Sequence, residues 1–239
     1  MAHEPTTCVI GDIHGCHDVL VHLLAQVADR ADTLVFLGDY VDRGPDSKAV
    51  VETVLTLLKT RANVITLMGN HDFLFLQYLT GGDRSLFLQV GGRQTLASYA
   101  LEPAADADEI ARRVPPEHRA FFAGLPLLWE DRHAIYVHAG LEPGAHLSQQ
   151  TRQWCLWARE QFLASTHDFG KPVVFGHTVF TEPLVTPGRI GLDTGAVYGG
   201  RLTAVLLPSR EFISVPGEAT AYHFLHDRGD SSKIQRRLL

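Results

Sequence analysis

Asp12 and His14 stand two residues apart, Asp39, Asp42 and Arg43 share a stretch bounded by Gly38 and Gly44, and Asn70, His71 and Asp72 are consecutive. Carboxylates, imidazoles and an amide oxygen are ligands for a divalent cation, and mixed N and O donors suit Mn, Fe or Zn better than Mg or Ca. An arginine among them offers a forked donor set for an anion such as phosphate. In an extended strand end, Asp12 and His14 project to the same side and can reach one ion. Taken singly, each group also fits a plainer reading, with the acids serving as turn residues or helix caps and His14 as a packed polar side chain. His138, followed by Ala139 and Gly140, and His177, between Gly176 and Thr178, repeat the theme later in the chain.

The elements that must position these residues decide between the readings. Residues 6–10, 33–37 and 63–67 are short apolar runs rich in β-branched and aromatic side chains, which predicts three buried strands. Each is followed by one of the polar loops and then by apolar residues at helical spacing, such as Val19, Leu20, Leu23, Leu24 and Val27 after the first. Parallel strands joined by helices bring such loops to one edge of a sheet, where ligands bind in α/β folds. Ligand-type residues at three successive strand ends exceed what turn chemistry alone predicts. Residues 81–125 read as a helical insertion broken at Gly81-Gly82 and Gly91-Gly92, with Pro115-Pro116 opening its last helix and Asp106, Asp108, Glu109, Arg112 and Arg113 forming a solvated face. Residues 127–131 and 134–137 predict a hairpin ending at His138, and 173–175 a strand ending at His177. Apolar runs at 184–186, 189–192, 203–207 and 212–215, separated by turn residues, predict an antiparallel meander.

Composition narrows the class. The 239 residues are 45% hydrophobic and 20% charged, an ordinary globular balance, and a single domain over residues 1–239 is expected. A net charge of −6 argues against nonspecific nucleic-acid binding. There is no apolar run of bilayer length, and residues 1–7 carry neither a basic nor an apolar leader segment, so no membrane partner and no signal peptide are expected. Cys8, Cys16 and Cys155 cannot all pair within the chain and lack zinc-ribbon spacing; a reducing cytoplasm is the expected location.

The ordered set Asp12-x-His14, Gly38-Asp39-x-Val41-Asp42-Arg43-Gly44, Gly69-Asn70-His71-Asp72, His138-Ala139-Gly140 and Gly176-His177-Thr178 resembles the phosphoprotein phosphatase family of metallophosphoesterases, in its bacterial and phage-like branch. The resemblance implies a calcineurin-like α/β fold, a central β-sandwich of mixed sheets flanked by helices. It implies two divalent metal ions, most fittingly Mn, with Fe or Zn as alternatives. Asp12 and His14 would bind one, Asp39 would bridge both, and Asn70, His138 and His177 would complete the second. His71 would be the general acid, oriented by Asp42; Arg43, and less closely matched Arg159, would grip the substrate phosphate. Water activated between the two ions would attack phosphorus in line. Met68 and Asp72 replace the arginine and glutamate usual in eukaryotic members, and residues 193–196 stand where those members carry Ser-Ala-Pro-Asn-Tyr.

On this resemblance the expected activity is that of a serine/threonine protein phosphatase acting on phosphoprotein or phosphopeptide substrates. The alternative is a symmetrical dinucleoside tetraphosphate hydrolase, a related group that usually lacks an acid at the place of Asp42; the short interval from His138 to Gly176, and Thr178 after His177, also weigh against it. A non-catalytic metal-binding scaffold is the remaining alternative. Cys16 and Cys155 fit packed thiols better than redox switches.

Overall fold

The computed structural model describes residues 4–220, so the expected domain over 1–239 and the first three residues of the 1–7 stretch reach beyond the described chain. Strand β1 (Thr7–Ile10) is followed by α1 (His17–Val27), β2 (Thr33–Phe36), α2 (Ser47–Thr60), β3 (Val64–Thr66) and α3 (Asn70–Leu79). β1, β2 and β3 lie side by side and parallel. α1 buries Val19, Leu20, Leu23, Leu24 and Val27, the stripe that its spacing predicts. Asp46 caps α2 by accepting from the backbone N–H of Ala49 at 2.9 Å.

The 81–125 stretch folds as helices α4 (Ser85–Phe87), α5 (Arg93–Ser98), α6 (Ala107–Arg113) and α7 (Pro116–Gly124), with an irregular turn at Leu88–Gly92. Pro116 occupies the first turn of α7, where a missing N–H costs no bond. Asp106 is a cap as well as a polar surface residue, accepting from the Glu109 N–H at 2.8 Å. β4 (Leu128–Glu130) and β5 (Ile135–Val137) form the expected hairpin. There follow α8 (Arg152–Trp157), α9 (Glu160–Leu163), β6 (Val173–Phe175), β7 (Leu184–Val185), β8 (Arg189–Gly191), β9 (Asp193–Thr194), β10 (Arg201–Leu207) and β11 (Glu211–Pro216).

Two mixed sheets result, in the orders β11-β10-β1-β2-β3, with β9 also on β10, and β4-β5-β6-β8-β7. Alternate residues of each strand face opposite layers. Val9, Val35, Tyr136, Val174 and Val205 fill the space between the sheets. Ile10, Phe36, Ala204 and Leu206 pack outward with α1 and α2, while Ile135, Val137, Val173 and Phe175 pack outward with Phe162 and Cys155. This is the expected α/β/β/α sandwich. The expected antiparallel meander is corrected: β5, β6 and β8 run parallel, and antiparallel pairing in that region is confined to β7 with β8 and to β10 with β9, β11 and β1. The crossover from β5 to β6 uses helices of six and four residues, too short for helical periodicity to announce. Among the described residues no helix is long and apolar enough to cross a membrane.

Candidate active site

The loops after β1, β2, β3, β5 and β6 meet at one edge of the sandwich. The backbone N–H of His14 donates to the Asp39 carbonyl at 2.8 Å, and that of Gly176 to the His138 carbonyl at 2.8 Å. His14, Asp39, Asp42, Arg43 and His177 all have positive φ, between 48° and 74°. Such backbone costs about 1–3 kcal/mol per residue and persists where surrounding structure fixes it, commonly at functional sites. Close approach is required at two glycines: a Cβ on Gly69 would collide with Asp39 Oδ1, and one on Gly176 with Asp12 Oδ1.

All ten candidate residues converge here. Asp39 Oδ2 lies 3.4 Å from His14 Nε2 and 3.5 Å from His138 Nε2, while its Oδ1 accepts from the His71 backbone N–H at 3.0 Å. Two buried groups have ligand atoms within 4.8 Å of one another: His14, Asp39 and His71, and Asp39, His138 and His177. Asp39 belongs to both. Asn70 Oδ1 sits 2.9 Å from His138 Nε2 and 3.1 Å from His177 Nδ1. Arg43 donates from its two terminal nitrogens to His14 Nε2 and His71 Nε2, each at 2.8 Å. Arg159 Nε donates to His177 Nε2 at 3.2 Å, and Asp42 Oδ2 lies 2.7 Å from His71 Nδ1. The geometry thus places His71, expected only as an acid, inside the first ligand group. Asp12 stands beside these groups, its Oδ2 accepting from the His177 backbone N–H at 3.0 Å.

The donor set fits cations. Asp12 Oδ1 is buried and accepts no hydrogen bond. His138 Nδ1 lies 3.1 Å from the Leu37 carbonyl and so carries the proton, which leaves Nε2 as an acceptor facing Asn70 Oδ1 as that amide is oriented. Two acceptors in contact are satisfied by a shared cation. His14 and His71 likewise use Nδ1–H toward the Val41 carbonyl and Asp42, freeing Nε2 lone pairs for the site. Burial, ahead of neighbouring charges, pushes Asp12 and Asp42 well above the usual carboxylate range and Asp39 up to about 7. Burial also draws His14, His71 and His177 well below the usual imidazole range and His138 down to about 4. A bound dication reverses this preference for the carboxylates.

A pH dependence follows. Asp39 is raised in the folded protein, so its contribution to metal-free stability is present at low pH and lost as pH climbs through about 7. Cation binding must displace that proton, whereas the histidines are already neutral. Added Mn is therefore expected to raise the thermal midpoint more at about pH 8 than at about pH 5.5. Calorimetry across that interval checks it; a gain independent of pH would mean that Asp39 binds no cation.

Three contributing residues carried no expected role. The Asp72 carboxylate accepts from the backbone N–H groups of Gly69 (2.9 Å), Asp39 (2.7 Å) and Tyr40 (3.0 Å), tying the second polar loop to the third. Asp193, buried just beyond β8, adds negative charge next to Asp12 and Asp39. It follows a parallel strand as the others do, but Gly191 and Gly195 are each two positions away and no glycine adjoins it, so the pattern of the first three loops does not mark it. Thr95 in α5 donates from Oγ1 to Asp42 Oδ1 at 2.6 Å and accepts from the Asp42 N–H at 2.8 Å. The insertion also holds Arg43, whose backbone N–H donates to the Gly91 carbonyl at 3.1 Å and whose Nε donates to that of Val90 at 3.3 Å. Thr95→Val is expected to lower kcat about tenfold with little change in KM, since a hydrogen bond to a charged group contributes ~1.5–3 kcal/mol. Thr95→Ser should restore it; steady-state kinetics of the pair decides. The thiols of Cys16 and Cys155 are buried, which pushes them up to about 12 and about 11, so neither forms a ready thiolate.

Fold and site together define a phosphoesterase whose buried His and Asp groups could hold divalent cations. Residues 5–180 match the model of the calcineurin-like phosphoesterase family, and the chain belongs to that family. Phosphoesterases of this family use divalent metals. At 28% identity over 238 residues, 87% of this chain and 93% of the relative, it is similar to the asymmetrical bis(5'-nucleosyl)-tetraphosphatase PrpE of Anoxybacillus flavithermus. The crystal structure of a candidate diadenosine tetraphosphatase superposes with a TM-score of 0.70 at 27% identity, covering 90% of this chain and 94% of that one. A serine/threonine phosphatase from Saccharomyces cerevisiae, related to a human phosphatase, shares the fold with a TM-score of 0.57 at 16% identity, covering 92% and 82%. Of the expected protein phosphatase, only the broader class stands, a metal-dependent phosphoester hydrolase. The relatives' names match the dinucleotide alternative in substrate, but describe an asymmetrical rather than a symmetrical enzyme. Asp42, one of the three features that weighed against that alternative, lies 2.7 Å from His71 Nδ1 and says nothing of which ester is cut.

Proposed function

We propose that this chain hydrolyses dinucleoside polyphosphates asymmetrically, releasing a mononucleotide from one end of the phosphate bridge. The observation that carries this reading is likeness over nearly the whole length to bis(5'-nucleosyl)-tetraphosphatases described as asymmetrical. The site suits such a substrate. A cavity of about 280 Å³ lies over Asp39, Asn70, His71 and His177 and is flanked by Arg43 and Arg159. In this reading Asp12, His14 and Asp39 hold one cation, and Asp39, Asn70, His138 and His177 the other. Bound there, the cations would polarise phosphoryl oxygens and acidify water. Arg43 exchanges its imidazole acceptors for phosphate oxygens, and Arg159 does the same in place of His177 Nε2. Release of Arg43 leaves His71 Nε2 free to carry a proton toward the departing oxygen, with Asp42 at Nδ1 favouring the imidazolium.

The test is product analysis. With Mn present, diadenosine tetraphosphate should give AMP and ATP in equal amounts by ion-exchange chromatography. Two molecules of ADP would mean a symmetrical cut. Release of phosphate from a phosphoserine peptide, with the dinucleotide left intact, would restore the protein-phosphatase reading.

A further inference from the structure

The cavity has a second kind of wall. Beside the polar floor, Leu74, Leu86, Val90 and Trp157 line it. Phosphate and cations gain nothing from apolar side chains, so this wall faces some other part of the substrate. Leu86 is 45% exposed, a large apolar side chain at the mouth of a charged site. Trp157 is half-buried, and its indole meets the Phe73 ring edge-on with centroids 5.6 Å apart. The Arg152 guanidinium lies over that Phe73 ring at 4.7 Å. The indole is therefore held in place before any ligand arrives. Leu86 and Val90 come from the helical insertion and Trp157 from α8, so two separate parts of the chain build the wall.

We infer that Trp157, with Leu86 and Val90, forms a nucleobase subsite that takes the base of the nucleoside whose own phosphate is attacked. This inference rests on the proposed function and adds what the site recognises. Aromatic side chains take any base by its π-face, without reading its hydrogen-bonding edge. At about 280 Å³ the cavity falls just below the usual span of small-molecule sites, ~300–1,000 Å³, so it has room for one nucleotide unit at most and leaves the second nucleoside outside. A base seated in the same cavity as Asp39 and His71 brings its adjacent phosphate, rather than the middle of the bridge, over the floor. The position of the wall thus gives a physical reason for an asymmetrical cut.

The test compares inhibition by AMP and by ribose 5-phosphate, which differ only in the base, with β-glycerophosphate as the substrate so that the assay does not depend on dinucleotide hydrolysis. AMP is expected to inhibit the unmodified protein at about one-tenth the concentration of ribose 5-phosphate or less, given the strength of base–aromatic stacking. The gap should close in Trp157→Ala, be largely kept in Trp157→Phe, and narrow in Leu86→Ala, an exposed position at which the fold is under little threat. Equal inhibition by the two compounds in the unmodified protein overturns the subsite, as does a gap that survives both Trp157→Ala and Leu86→Ala. Failure of the proposed function is read separately, as intact diadenosine tetraphosphate under conditions where β-glycerophosphate is cleaved.

Discussion

Asp39→Asn is expected to abolish metal loading and hydrolysis together. Asp39 is the one carboxylate common to both ligand groups, with Oδ2 facing His14 Nε2 at 3.4 Å and His138 Nε2 at 3.5 Å. The amide keeps the shape and can still accept from the His71 N–H through Oδ1, so the loop is preserved. What disappears is the charge that cations held by the two groups would share. Replacing even outer partners of metal ligands costs ~10–100-fold, so loss of a shared ligand should exceed about 10²-fold in kcat/KM. Stability should move the other way. Burial raises Asp39 to about 7, so at about pH 8 its ionised form is a burden on the metal-free protein. Asp39→Asn removes that burden, so its metal-free thermal midpoint should equal or exceed that of the unmodified chain, while added Mn no longer raises it. Elemental analysis beside calorimetry separates this from simple misfolding. Full metal occupancy in Asp39→Asn would remove the bridging role.

Much of this site is legible in the chain because the first three strand ends follow one simple rule. Apolar runs at β1, β2 and β3 stop at glycines flanking Asp12, Asp39 and Asn70, and parallel pairing does the rest. Asp193 lacks the adjoining glycine and follows a three-residue strand among short runs that resemble a meander, so its parallel neighbours go unseen. Thr95 gives no local sign at all. Its role exists only through contact with Asp42, 53 positions away, across a helical insertion whose turns reveal nothing of what they touch. Trp157 is ambiguous for another reason: an aromatic in an apolar helix reads as core, and only the open cavity beside it shows a face left unfilled. The class of ester was the least legible feature. The residues expected as ligands, acid and phosphate clamps would answer to the phosphoryl group, which a phosphopeptide and a dinucleotide share. Discrimination falls to the apolar wall, and short helices that fold over the site from two directions build it.

His71→Asn is the second large effect, and its size should depend on the leaving group. His71 Nδ1 lies 2.7 Å from Asp42 Oδ2, and Nε2 faces the cavity next to Arg43. A general acid contributes ~10²–10⁴-fold where the departing oxygen is strongly basic. Losses of that order are expected with β-glycerophosphate or a phosphoserine peptide, whose alkoxides require a proton. The departing group of a dinucleoside tetraphosphate is a phosphate oxygen of much lower basicity, so the loss there should be about tenfold or less, close to that with an aryl phosphate. The same His71 Nε2 also falls within the ligand group of His14 and Asp39. A ligand role makes the opposite forecast, since lost metal slows every substrate alike. Kinetics on alkyl, aryl and dinucleotide substrates, with metal content measured on the same samples, therefore separates the two roles. A graded loss with metal retained assigns His71 the proton; a uniform loss that tracks falling metal content assigns it the cation.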